Sequence, residues 1–169
     1  MPAMRSALLP GALALLVAAC ATPPPAAHAP PSAPRSAAAP AARPTLAAEQ
    51  RRLSALFDGT PVVFAMQADG SLRVTVPRYF CFDRGAVRVK PPLAAVLDRL
   101  AKSQLDAPSK FRLSAPADPE TRGPALVRDR GVALRDYLMG QRIAAERLQL
   151  MSAVQTEWVE IVVMEGSAH

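Results

Sequence analysis

Residues 21–45 read ATPPPAAHAPPSAPRSAAAPAARPT, a run of proline, alanine and small polar residues without one large apolar side chain. Chain of this kind has no apolar surface to bury, so nothing offsets the entropy lost on ordering it. Its prolines favour extended polyproline II at about 3.1 Å per residue, which makes the run a tether of up to roughly 70 Å. Folding is thereby confined to residues 46–169, a length suited to one small domain and too short for two.

The segment before the tether, MPAMRSALLPGALALLVAAC, places Arg5 ahead of a short apolar run that ends in small residues, the layout of a secretory signal. The run from Ala7 to Ala19 contains Pro10 and Gly11 and is too short to be a comfortable membrane span. Residues 1–19 are therefore expected to be removed. The ending LVAAC resembles a bacterial lipobox, which implies that Cys20 is acylated, with diacylglycerol and palmitate-type chains, and becomes the first residue of the mature protein. The alternative is an ordinary cut after Ala19 that leaves Cys20 a free thiol. The lipoprotein resemblance implies a chain anchored to a membrane by lipid rather than crossing it. With Ala21, not Asp, after the cysteine, it implies the periplasmic face of the outer membrane. Residues 20–45 are then the lipidated cysteine and tether, and residues 46–169 the folded domain.

The chain carries 20 Lys and Arg against 14 Asp and Glu, but Arg5, Arg35 and Arg43 lie outside the domain, which leaves 17 against 14 within it. That surplus is mild and forms no basic stripe with interleaved aromatics, so nucleic acid is not an expected partner. His28 lies in the tether and His169 ends the chain, so between them the domain has no histidine. Cys81 is its lone cysteine, which excludes an internal disulfide. Without a histidine to activate it, Cys81 reads as a small residue on a strand rather than a nucleophile. No metal-ligand spacing is present and nothing selects a pair of carboxylates, so the expectation is a protein that is not an enzyme and that has no cofactor or metal.

Within the domain, LAAEQRRLSALFDG has helical spacing at Leu46, Leu53, Leu56 and Phe57 and stops at Asp58 and Gly59. PVVFAMQADGSLRVTVP predicts strands over 62–67 and 72–76, joined by a turn containing Asp-Gly. RYFCFDRG is expected to add a short aromatic strand. A helix follows from Pro91 or Pro92, presenting Leu93, Val96, Leu97 and Leu100. KFRLSAPAD predicts a strand, and Gly123 and Pro124 open a further helix. RIAAERLQLMSAV predicts a turn of helix and a strand, and EWVEIVVM a last strand that would complete a terminal pair. This order describes an α+β fold, a two-layer α/β sandwich with helices on a mixed sheet, preceded by a β-hairpin. Trp158 reads either as a core or sheet-edge aromatic or as a carbohydrate-stacking one.

In ALVRDRGVALRDYL, residues 125–138, the apolar face runs through Leu126, Leu134, Tyr137 and Leu138, and Arg130 sits on it. A guanidinium there requires an anionic or hydrogen-bonding partner. Two blocks carry a family likeness from about Leu53 to Val163. DGSLRVTVPRYFCFDRGAVRVKPPLAAVLDRLA is similar to a strand, an F-x-F-D and the following helix of the OmpA-like C-terminal domain. LVRDRGVALRDYLMGQRIAAERL is similar to that family's L-S-x-x-R-A-x-x-V-x-x-Y-L followed by G-[IV]-x-x-x-R-L. The resemblance implies noncovalent binding of peptidoglycan, through diaminopimelate of the stem peptide. It also implies the residues: Asp118, at the end of a strand, for the ligand ammonium and Arg130, on the next helix, for a ligand carboxylate held by a forked pair of bonds.

The departures from the family pattern cluster at that site. Ala115–Asp118 read APAD where the family has G-H-T-D, and the loop to the helix is shorter. Gly123 stands in place of an Asn, Val127 in place of a Ser, and the late Gly-rich loop is reduced to MSAVQTE. Two alternatives therefore stand beside ligand binding for Asp118 and Arg130: a salt bridge between the two that fastens the loop to the helix, or an arginine that snorkels outward. At the level of the whole chain, one reading is a lipoprotein linking outer membrane to wall. The other is a degenerate OmpA-like domain that serves an envelope complex through protein partners, without binding peptidoglycan.

Overall fold

The structure is a computed structural model and describes residues 44–120, 123–151 and 156–166. Thr45 caps the first helix, α1 (Leu46–Leu56), by accepting a hydrogen bond from the Ala48 amide through its hydroxyl. Strands β1 (Val63–Met66) and β2 (Leu72–Pro77) form the hairpin. Its turn is fastened by Asp69, whose Oδ1 accepts from both the amide and the hydroxyl of Ser71 at 2.9 and 2.6 Å. Gly70 takes φ +78° there, a conformation costly for any residue with a Cβ.

Helix α2 (Pro91–Gln104) starts at its two prolines, whose missing amide hydrogens cost nothing in a first turn. Strand β3 (Lys110–Ser114), helix α3 (Pro124–Gly140), and strands β4 (Leu148–Leu150) and β5 (Trp158–Met164) complete the order, with a 3-10 turn at Ala145–Arg147. The five strands make one mixed sheet in the order β1-β2-β5-β3-β4, in which only β3 and β4 run parallel.

The core follows from the period of two along each strand. One row across the sheet is Phe64, Val74, Ile161, Leu113 and Leu150, and the next is Met66, Leu72, Val163, Phe111 and Leu148. Apart from the exposed Met66 and the half-buried Leu150, these rows are buried in a single hydrophobic cluster with Leu53 of α1, Leu93, Val96, Leu97 and Leu100 of α2, and Leu134 and Leu138 of α3.

Three expectations are corrected. Arg78–Phe80 form a 3-10 turn rather than a strand. Both sides of β2 are already paired, with β1 and β5, so the residues after Pro77 have no ladder to continue in; instead Cys81 and Phe82 fold inward, and their amides bond to the Arg78 carbonyl. The last two strands are not partners of each other. β5 is apolar but for Glu160 and takes the centre beside β3, whereas the three-residue β4 takes the edge. Trp158 is neither in the core nor on an edge strand: it opens the central β5 opposite Pro77 and is 46% exposed.

Candidate functional site

Beyond the end of β3 the chain runs through Ala115 and Pro116, both buried, to Asp118. Opposite stands Arg130, on the face of α3 that also buries Val127, Gly131, Leu134 and Leu138. The structure brings Asp118 and Arg130 together, with 4% and 0% of the residues exposed. Arg130 Nη1 lies 2.9 Å from Asp118 Oδ1, and Nη2 donates to Oδ2 at 3.1 Å.

Three backbone carbonyls take the remaining donors: Nε bonds to Ala86 O at 2.9 Å, Nη1 to Pro116 O at 2.9 Å and Nη2 to Asp83 O at 3.1 Å. A guanidinium has five N–H donors, so Arg130 is saturated by the protein itself. The Phe82 ring packs against it, with Cζ 4.9 Å from the centroid. The partner that the apolar face of α3 demanded is thus a cage of one carboxylate and three carbonyls.

Asp118 is held from the other side by Gly85, whose amide donates to Oδ2 at 2.7 Å from a left-handed backbone at φ +67°. A carboxylate offers about four lone-pair positions, and three are occupied. Burial pushes the Asp118 carboxyl up, but the hydrogen bonds from Arg130 and Gly85 and the charges of Arg130 and Arg78 outweigh it and hold the group below its ordinary value.

An open cleft of about 230 Å³ lies beside Asp118, lined by Arg78, Tyr79, Phe82, Arg84, Asp118 and Glu120 among others. Arg84 pairs with Glu120, which joins the loop before α2 to the loop before α3. Tyr79 is 77% exposed, and the Lys90 ammonium sits 5.1 Å from its ring centroid. Lys90 also bonds to Asp83 Oδ1 at 2.9 Å.

Sequence reasoning named Asp118 and Arg130 but missed Asp83, Gly85 and Ala86, which wrap them, and the cleft residues Arg78, Tyr79 and Arg84. The turn residues of Asp83-Arg84-Gly85 were a local signal, but carbonyl ligands of a guanidinium leave no trace in side-chain identity. Cys81 is buried at the end of the 3-10 turn, its Sγ within reach of the Val76 and Pro77 carbonyls, and burial pushes its thiol up to about 12. The Cys20 assignment and most of the tether lie outside the described residues. Among the described residues no helix is long and apolar enough to cross a membrane, and no three His, Cys, Asp or Glu side chains converge on a point.

No protein-family model matches the sequence, and no curated protein matches it. Solved structures do. A putative MotB-like protein from Desulfovibrio vulgaris is similar over 72% of this chain and 92% of its own, with TM-score 0.59 and 16% identity. The cell wall anchor of the T6SS from Pseudomonas aeruginosa is similar over 73% of this chain and 99% of its own, with TM-score 0.56 and 18% identity. The periplasmic domain of Helicobacter pylori MotB is similar over 65% and 83%, with TM-score 0.53 and 16% identity.

The chain has the OmpA-like fold. In this fold the cleft lies among the loops between the end of β3 and the start of α3, with Asp118 in its lining and Arg130 buried against Asp118.

Proposed function

We propose that this chain is an outer-membrane lipoprotein that binds peptidoglycan noncovalently and so links membrane to wall. The observation that carries the reading is that Asp118, paired with the buried Arg130, lines an open cleft in an OmpA-like fold. Among the proteins that share the fold, one is named for anchoring to the cell wall. Acyl chains on Cys20 hold the mature protein at the periplasmic face of the outer membrane, residues 20–45 span towards the wall, and the domain from residue 46 onward takes diaminopimelate of the stem peptide. Asp118 is the anionic contact for the ligand ammonium, through the one lone-pair position that Arg130 and Gly85 leave open. Arg130 keeps that carboxylate ionised and aimed.

One observation favours a second reading. Arg130 has no exposed surface and no free donor, which suits a fold kept as an assembly part of an envelope complex, with protein partners in place of the wall.

The full-length chain, purified in detergent, is mixed with insoluble diaminopimelate-type peptidoglycan and centrifuged. Sedimentation with the wall supports the linker reading, and a chain that stays in the supernatant leaves the assembly reading. Labelled palmitate that enters the wild type but not Cys20→Ala supports the anchor; equal labelling of both overturns it.

A further inference from the structure

A ligand carboxylate that enters the cleft does not reach Arg130, which is buried and engaged by Asp118 and three carbonyls. Two other guanidinia, Arg78 and Arg84, line the cleft itself. Arg84 is engaged by Glu120. Arg78 differs from both. Its backbone is fixed at the end of β2, where its amide donates to the Glu157 carbonyl at 2.9 Å and its carbonyl accepts from Cys81 and Phe82.

Its side chain is half-buried and, among the described residues, makes one hydrogen bond, from Nη1 to the Ala117 carbonyl at 3.2 Å, and no ion pair. The edge formed by Nε and Nη2 is therefore open to a second forked acceptor. The bond to Ala117 places Nη1 next to the residue that precedes Asp118, and Asp118 lines the same cleft as Arg78. The cleft thus places an open guanidinium beside an incompletely satisfied carboxylate. A zwitterion that carries ammonium and carboxylate on one carbon complements both, whereas an anion alone engages only the guanidinium.

We propose that Arg78 is the specificity-determining residue of this site: it holds the side-chain carboxylate of diaminopimelate while Asp118 holds the ammonium on the same carbon. The inference rests on the wall-binding reading and deepens it. Diaminopimelate differs from lysine by that one carboxylate, so Arg78 is the group that tells the two kinds of stem peptide apart. A fork on a planar carboxylate is also what distinguishes Arg from Lys at this position.

The test measures calorimetric affinity of the full-length chain in detergent for two soluble tripeptides, L-Ala-γ-D-Glu-meso-diaminopimelate and L-Ala-γ-D-Glu-L-Lys. The wild type is expected to prefer the diaminopimelate peptide. Arg78→Gln is expected to weaken that peptide by about tenfold or more, the scale of a lost charge-assisted fork, while the lysine peptide and the melting temperature stay as in wild type. Arg78→Lys, which keeps the charge without the fork, is expected to fall between.

If the wild type prefers diaminopimelate and Arg78→Gln keeps that preference, or if the wild type binds both peptides equally, Arg78 has no such role although wall binding stands. If the wild type binds neither peptide nor intact wall, the inference falls together with the reading beneath it.

Discussion

Asp118 and Arg130 form a bidentate ion pair in which Nη1 lies 2.9 Å from Oδ1 and Nη2 lies 3.1 Å from Oδ2, and both residues are buried. Burying two charges is favourable only where both are fully satisfied, so the pair is far more sensitive to losing one member than its net contribution suggests. Arg130→Ala strands the Asp118 carboxylate and removes the donor from the carbonyls of Asp83, Ala86 and Pro116. The expected loss is about 3–5 kcal/mol, read as a lower urea midpoint at unchanged slope. Arg130→Lys restores only part of it, because an ammonium has three donors and no planar fork. A Lys variant as stable as wild type would contradict the cage.

Acid is expected to weaken the fold through two buried carboxylates. Burial pushes Asp118 up, but its bonds to Arg130 and Gly85 bring it below the ordinary 3.8. Burial likewise pushes Glu49 up, and the Arg52 and Ser103 hydrogen bonds bring it below the ordinary 4.5. A carboxyl whose folded value is depressed contributes stability that is fully present above its unfolded value and is lost as pH falls through the folded value. Stability carried by these groups should therefore be flat near neutrality and decline below about pH 4.5, with Glu49 declining first and Asp118 below about 3.8. Urea titrations from pH 7 to pH 2.5 test this. Asp118→Asn should flatten the lower part of the decline, and an identical decline in that variant would place the acid sensitivity elsewhere.

Legibility in the sequence follows the range of the interactions involved. The helix faces of α2 and the hairpin at Asp69-Gly70 are written in local periodicity and turn chemistry, and the structure places them where the pattern does. The partner of Arg130 was legible as a demand, since no guanidinium rests on an apolar face unaided, yet three of its contacts lie on segments whose amino-acid types do not advertise them. Ala86, Pro116 and Asp83 contribute carbonyls, which every residue has. The misread aromatic strand failed for a topological reason: Tyr79 and Phe80 have strand-forming side chains, but β2 has no free edge for a following segment to join. The position of β5 between β2 and β3 is likewise a choice among strands, and local pattern constrains it weakly.

Arg142 is expected to be a site where replacement stabilises. It has φ +67°, the one non-glycine residue with positive φ among those described, and it follows the Gln141 cap of α3. The Ile143 amide bonds to the Leu138 carbonyl at 3.1 Å and the Arg142 amide to the Met139 carbonyl at 2.9 Å, the pair of bonds that closes a helix when its next residue is left-handed. Ile143 and Leu138 are buried together beneath it. Arg142→Gly should raise stability by about 1 kcal/mol and increase the melting temperature, because glycine enters this conformation without the Cβ clash. A fall in melting temperature would show that the exposed Arg142 side chain contributes a contact worth more than the relief of strain.

Arg147 is the second guanidinium turned inward, and its role is structural. It donates to the Gln104 and Leu105 carbonyls at 2.7 and 3.3 Å, which are at the C-terminal end of α2, and to the Ser109 carbonyl and hydroxyl at 2.7 and 3.0 Å. It also stacks on Phe111, with Cζ 5.6 Å from the ring centroid. A cation there satisfies carbonyls that a helix end leaves without partners and opposes the negative end of the helix dipole. One side chain thereby ties the start of edge strand β4 to the connection between α2 and β3. Arg147→Met keeps much of the apolar stem but removes every donor, and should cost about 2–4 kcal/mol, the scale of several charge-assisted hydrogen bonds lost at a half-buried site. Amide exchange distinguishes this tie from a generic loss of packing. In Arg147→Met, amides of residues 105–110 should exchange faster relative to those of the β1–β2 hairpin, which Arg147 does not touch. Uniform acceleration across both would mean that Arg147 supports the fold globally rather than fastening that corner.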